Sequence, residues 1–296
     1  MIRSTVLLNM ENEENVKSLL IGPLKEQDNT KVNIFLIPGF LSERKDSEHG
    51  PIIPNDEKSW ARHFNVLTNQ YQANYYVVNW PSAPLLAGFK ELINNMILKR
   101  IITFPLPFGP IGFIGPIIKL SKYSTLLNLA RSVWKEAIIN SENAAKKLYR
   151  HLLLENKPHI LIGHSLGGRI ALRVCEMALS SAKPLHKTIA LAPAIGQNEL
   201  SWNTFNKCTH NDLEILYSKK DKVLKYLFPI GQGSLDKPVG LVGVPNDYRS
   251  NIASIDMTDR GYDSSRGHND YEKDLPFLLQ TSKIWTTTFS NHGHLS

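Results

Sequence analysis

The chain has 296 residues, 42% of them hydrophobic and 21% charged, a composition ordinary for a soluble globular protein with material for a sizeable core. Only two cysteines are present, Cys175 and Cys208, so a disulfide framework has no support, and no C-x-x-C or His-rich spacing suggests a metal. The net charge of +7 is localised: Pro81–Arg150 holds ten Lys/Arg against three Asp/Glu, an excess equal to that of the whole chain, and points to an anionic surface as partner.

The N-terminal apolar stretch around Val6–Leu8 is too short for a signal-peptide core, so the expected location is the cytoplasm or a membrane periphery, with signal-less export left open. Lys31–Pro38 reads as a buried strand, Trp60–Asn69 as a helix, and Tyr75–Trp80 as a second strand rich in β-branched and aromatic residues. The segment 81–135 then breaks the rhythm and is expected to be an insertion. Leu85, Phe89, Leu92, Ile93, Met96 and Ile97 fall at helical spacing opposite polar residues, which predicts an amphipathic helix.

Ile101–Ile118 follows, eighteen residues without a charge. Its length would suit a membrane span, but Pro105, Pro107, Pro110 and Pro116 argue against a regular helix, and an irregular backbone cannot cross lipid unpaired. The reading is an apolar flap rimmed by Lys99, Arg100, Lys119 and Lys122. Phe104, Phe108 and Phe113 are its candidate substrate or lid residues, and packing of the same segment on the core is the alternative.

The next element carries the strongest signal. Ile160–Ile162 is a short apolar run, Gly163-His164-Ser165-Leu166-Gly167 follows at once, and Ile170, Leu172, Val174, Met177 and Ala178 continue with helical spacing. A strand running through G-x-S-x-G into a helix has the form of a nucleophile elbow. A serine hydroxyl is a weak nucleophile until it is lifted clear of the backbone and given a base. Small residues at 163 and 167 let the flanking segments approach, and the helix N-terminus faces the place where an oxyanion forms.

Thr188–Ala192, Leu213–Ser218 and Asn251–Met257 read as further strands, and a helix from about Asp270 to Trp285 closes the chain. Strands alternating with helices imply an α/β class with a mostly parallel sheet covered on both faces, here one domain over 1–296. In such hydrolases the order is nucleophile, acid, histidine. Of the histidines after Ser165, His186 lies at the wrong end of a strand, His210 precedes the best acid, and His292 and His294 sit in the tail. His268 is left as the general base, between the last strand and the last helix. Asp221, three residues beyond a strand end, is the preferred acid, with Asp256 and Asp259 as rivals suited to turn or capping work. The backbone N–H groups of Phe40 and Leu166 are the candidate oxyanion donors. Gly231 and Gly233 form a lone G-x-G, too weak for nucleotide binding.

Gly39-Phe40-Leu41, Trp60, Trp80, the 163–167 elbow, Ser218–Asp221, Gly240-Leu241 and Gly267-His268-Asn269-Asp270-Tyr271 together resemble the α/β-hydrolases of the transmembrane-and-coiled-coil-domain lipase-like group. The resemblance spans residues 32–272 in scattered blocks. It implies an α/β-hydrolase fold, a Ser165–Asp221–His268 triad and lipid-ester substrates; this chain lacks a clear transmembrane or coiled-coil segment.

The expected activity is therefore carboxylic-ester hydrolysis, that of a lipase or phospholipase acting at an anionic membrane surface, without metal, cofactor or nucleic acid. Two alternatives are carried. One keeps the triad and changes the substrate: a small-ester esterase, thioesterase, acyltransferase or peptidase. The other is a membrane-surface binding protein whose hydrolase fold no longer catalyses.

Overall fold

The computed structural model describes residues 6–7, 20–25, 32–39, 73–82, 124–155, 157–181, 185–208, 213–232, 235–259, 268 and 271. Phe40, the expected helices at 60–69 and 85–97, the apolar segment 101–118 with its three phenylalanines, and all of the closing helix but Tyr271 lie outside them.

Among the described residues eight strands form one sheet: β1 (Val6–Leu7), β2 (Leu20–Lys25), β3 (Val32–Ile37), β4 (Ala73–Asn79), β5 (His159–His164), β6 (Lys187–Leu191), β7 (Leu213–Tyr217) and β8 (Ala253–Asp256). Their order across the sheet is β1-β2-β4-β3-β5-β6-β7-β8. The six from β4 to β8 run parallel, and β2 is antiparallel to both its neighbours. With helices on both faces, this is the α/β-hydrolase fold. The described helices are α1 (Ser124–Leu153), α2 (Leu166–Ser180), α3 (Trp202–Phe205), α4 (Lys222–Gln232) and α5 (Val239–Val242).

Why these strands form is plain from their side chains. Every residue of β3, β5, β6 and β7 is buried, and consecutive apolar residues run through their middles rather than alternating, as in a strand covered on both faces, while the polar Asn33, His159, Lys187, Thr188 and Glu214 lie toward their amino ends. β8, at the sheet edge, is only half-buried. The strands expected near 31–38, 75–80, 159–162, 188–192, 213–218 and 251–257 are all present, with ends shifted by one or two residues.

Three elements stand beyond the sequence expectation. β1 and β2 extend the sheet past β4, and β2 carries Gly22 and Pro23, which weaken a strand signal. Proline has no N–H to give the ladder, and the β2–β4 register slips between Pro23 and Lys25. The third is α1, thirty residues long, which starts inside the segment expected as an insertion. Val133, Trp134, Ala137, Ala144, Ala145, Leu148 and Leu152 are buried along one stripe of it. The residues from Ser124 to Lys135 are the first turns of this helix, and Val133 and Trp134 begin its buried stripe.

Trp134 packs edge-to-face on Phe228 of α4 with ring centroids 6.1 Å apart. A Cβ added at Gly231 would fall 2.3 Å from the Trp134 ring, so that glycine exists for helix packing. A charged network joins these layers. Arg169, 2% exposed in the first turn of α2, bonds Glu142 of α1 and Glu199 of the turn after β6, and Arg173 bonds Glu142 and Glu176. A guanidinium this deep is tolerable only because carboxylates fill its donor fork. Cys175 and Cys208 are both buried and form no disulfide. Among the described residues no helix is long and apolar enough to cross a membrane.

Candidate active site

The parallel strands deliver their carboxyl ends to one edge of the sheet, where open α/β sheets place their ligands. At this edge β3 ends at Pro38-Gly39, β4 at Trp80, β5 at Ser165, β6 at Ala192 and β7 at the loop reaching Asp221.

Ser165 occupies the turn between β5 and α2 with φ 56° and ψ −119°, a region that costs a non-glycine residue about 1–3 kcal/mol. The surroundings hold it there. Its N–H donates to the Leu191 carbonyl at 2.9 Å, and its own carbonyl accepts from Ala194 at 2.9 Å and Arg169 at 3.1 Å. The turn is as tight as the sequence motif implies. A Cβ at Gly163 would lie 2.2 Å from the Gly167 carbonyl oxygen, and one at Gly167 would lie 2.0 Å from that of Ile37. Backbone atoms cannot rotate away as a side chain can. Gly163→Ala is therefore expected to destabilise by at least about 3 kcal/mol, the upper end of overpacking costs. A urea midpoint equal to that of wild type would contradict the close approach.

The structure brings the three expected side chains into one line. His268 Nε2 lies 3.1 Å from Ser165 Oγ, and His268 Nδ1 lies 2.6 Å from Asp221 Oδ2. All three are buried, Asp221 most deeply at 1% exposed. A carboxylate accepts, so Nδ1 carries the hydrogen and donates to Asp221; Nε2 is then left to accept from the Ser165 hydroxyl, a tautomer assigned from its partners.

Asp221 has a second bond. Its Oδ1 accepts from the Leu224 N–H at 2.9 Å, so Asp221 caps the N-terminus of α4. One oxygen meets the helix and the other meets the imidazole, which locks the carboxylate in place. The positive end of the helix also favours its charge. The loop that carries Asp221 is tied from below, where the Gly240 carbonyl accepts from Ser218 and the Gly240 N–H donates to Pro193.

The rival carboxylates do other work. Asp256 accepts from the Thr258 hydroxyl and backbone and pairs with Lys219 at 2.9 Å. Burial opposes its charge, but these donors win and hold the carboxyl at about 2. Asp259 is 96% exposed beside Lys220. His186, half-buried, directly precedes β6, and its N–H donates to the His159 carbonyl at the amino end of the sheet, away from Ser165.

Of the two oxyanion donors, Leu166 is buried and opens α2, so its N–H is among the first-turn groups that find no acceptor within their own helix. Phe40 lies outside the described residues, but Gly39 before it abuts Ser165: a Cβ there would sit 3.0 Å from that of Ser165. Trp80 steadies the same loop, its indole N–H donating to the Pro38 carbonyl at 2.8 Å.

Two side chains in this neighbourhood escaped the sequence reading. His164 occupies a free position of the elbow motif, and its Nε2 lies 2.7 Å from the His268 main-chain oxygen. Arg169 is four residues past Ser165 in a helix where any polar residue reads as surface. Only the tertiary partners distinguish either. Among the described residues no group of three or more His, Cys, Asp or Glu comes together to hold a metal ion.

Several solved structures align with nearly the whole chain. Alpha/beta hydrolase domain-containing protein 10 from mouse is 12% identical, over 95% of this chain and 100% of that one, with a TM-score of 0.38. A putative α/β hydrolase of unknown function from Agrobacterium tumefaciens is 11% identical over 94% of both chains, with a TM-score of 0.43. Carboxyl esterase 2 from the fungus Tuber melanosporum is 14% identical, over 96% of this chain and 87% of that one, also at 0.43. At these scores the neighbours add nothing to the strand order and the elbow, which establish the fold themselves. No curated protein matches the sequence. A family model does match residues 55–284, and the chain belongs to that family, described as a protein of unknown function (DUF726).

Proposed function

We propose that this protein is a serine hydrolase that cleaves carboxylic esters through an acyl-enzyme, with lipid esters as the preferred class. The observation that carries the reading is the line from Ser165 Oγ through His268 to Asp221, held in a strained and over-determined elbow. In the first half-reaction His268 Nε2 takes the Ser165 proton as Oγ attacks the ester carbonyl carbon. The carbonyl electron pair moves onto oxygen, and that oxyanion is met by the Leu166 and Phe40 N–H groups. The intermediate collapses by breaking the bond to the alcohol oxygen, which leaves with the proton from His268. Water then attacks the acyl-serine by the same route and releases the acid. Asp221 keeps its charge throughout and stabilises the imidazolium.

The preference for lipid rests on the sequence of 101–118. An uncharged segment rimmed by Lys99, Arg100, Lys119 and Lys122 is suited to acyl chains at an anionic surface, with Phe104, Phe108 and Phe113 as their contacts. The test incubates wild type and Ser165→Ala with mixed anionic and zwitterionic vesicles and identifies the products by mass spectrometry. Release of fatty acid and lysolipid by wild type alone is the expected result. In a second arm, changing the three phenylalanines to Ser lowers activity on vesicles more than on a soluble short-chain ester. Hydrolysis of the soluble ester without any lipid release would leave the chemistry standing and remove the lipid.

A further inference from the structure

We infer that His164 is a positioning residue for this reaction, tying the backbone of the base to the strand that carries the nucleophile. The inference rests on the serine-hydrolase reading above. His164 is the last residue of β5, next to Ser165, and is 2% exposed. Its Nε2 lies 2.7 Å from the main-chain oxygen of His268, 104 residues further along the chain. A carbonyl can only accept, so Nε2 carries a hydrogen and donates it.

The imidazole is packed on several sides. Its ring centroid is 4.9 Å from that of His268 and 6.2 Å from that of Tyr271, on which it is nearly parallel at 29°. Tyr271 is fully buried. On another side is the loop after β3, where a Cβ at Gly39 would come within 3.3 Å of His164 Nδ1. His164 thus stands between the loop expected to bind the oxyanion and the segment that presents the base.

The geometry needs such a tie. Asp221 holds the His268 ring at Nδ1, on the side away from Ser165. A ring held at one corner can still carry Nε2 toward or away from Oγ as its backbone shifts. The bond to the His268 carbonyl fixes that backbone. With both bonds made, a single rigid element, the end of β5, sets the nucleophile and the distance of its base. A buried histidine satisfied by any nearby carbonyl would be ordinary packing. Here the acceptor belongs to the base itself, and the donor is the residue adjoining the nucleophile.

The test compares wild type, His164→Leu and His164→Gln by steady-state kinetics on a soluble p-nitrophenyl ester and by labelling of Ser165 with a fluorophosphonate. Leu fills much of the space without a donor; Gln offers an N–H at a similar reach. The Leu variant is expected to lose about 100-fold in kcat, the scale of a small misplacement of reacting groups, with KM within about twofold of wild type. The Gln variant is expected to recover at least about tenfold of that loss and to label faster than Leu, as a restored hydrogen bond to the base should. Should the Leu variant be insoluble, His164→Asn, polar but too short to reach the carbonyl, takes its place. A Leu or Asn variant within twofold of wild type in kcat, or a Gln variant no better than it, overturns the positioning role while an active wild type leaves the hydrolase reading intact. A wild type that neither turns over the ester nor takes the label overturns both.

Discussion

Ser165→Ala is expected to lower kcat on the order of a millionfold, the scale seen when the nucleophile of a comparable triad is removed, and to leave thermal stability almost unchanged. The reason for the asymmetry lies in what the hydroxyl touches. Oγ meets His268 Nε2 at 3.1 Å, while the bonds that hold the elbow run through the Ser165 main chain and survive the substitution. Alanine, like serine, is an L residue and bears the same strain at φ 56°. The imidazole loses one neutral partner, worth about 1 kcal/mol. The check is turnover of a soluble ester alongside a thermal melt of both proteins. Activity within tenfold of wild type would remove Ser165 from the chemistry; a collapsed melt would show the hydroxyl to be structural.

Asp221→Asn is expected to cost about 10⁴-fold in kcat with an unchanged fold, as in related triads where the geometry survives and the tautomer does not. Here the double bonding of Asp221 decides the outcome. The Leu224 N–H requires an acceptor, so the amide of the variant must keep its oxygen on the helix. Its NH₂ then faces His268 Nδ1, which can only accept. The ring hydrogen moves to Nε2, and the base presents a donor to a hydroxyl that needs an acceptor. Because the cap is retained, the melting temperature should hold. Asp221→Ala loses tautomer and cap together, and the cap adds a cost of about 1 kcal/mol in stability. Asp256→Asn, made at the rival carboxylate, should leave turnover near wild type. An Asp221→Asn enzyme keeping more than a tenth of wild-type kcat, or an Asp256→Asn enzyme losing most of it, would give the orienting role to another group.

The elbow was legible in the sequence because it is local. Within about a dozen residues an apolar strand, two obligatory small residues and a helical run must coincide, and each has a short-range cause. The buried parallel strands were legible for a similar reason: covered on both faces, they carry consecutive apolar residues through their middles. Chain order then narrowed ten histidines to five, and their places relative to the strands, the acid and the tail left His268. The edge elements were harder. β2 is interrupted by Gly22 and Pro23, and the middle of the buried stripe of α1 is made of Ala137, Ala144 and Ala145, whose contrast with the polar face is slight. β1, two residues long, has no signature of its own.

What the sequence determined by itself was the elbow and the serine at its tip as the candidate nucleophile, since a strained turn needs particular residues at particular neighbours. What the tertiary structure decided was which groups, distant along the chain, share the space. Asp221 and Asp259 follow strands and Asp256 ends one, all at the same edge, and placement along the chain could only rank them. The folded chain puts Asp221 on His268 and gives Asp256 to Lys219 and Thr258. His164 shows the same limit from the other side, in a motif position that is chemically free until a carbonyl from residue 268 arrives. Local patterns are written by bonds over a few residues. Pairings across a hundred residues depend on how the sheet stacks its strand ends, and no short stretch of sequence records that.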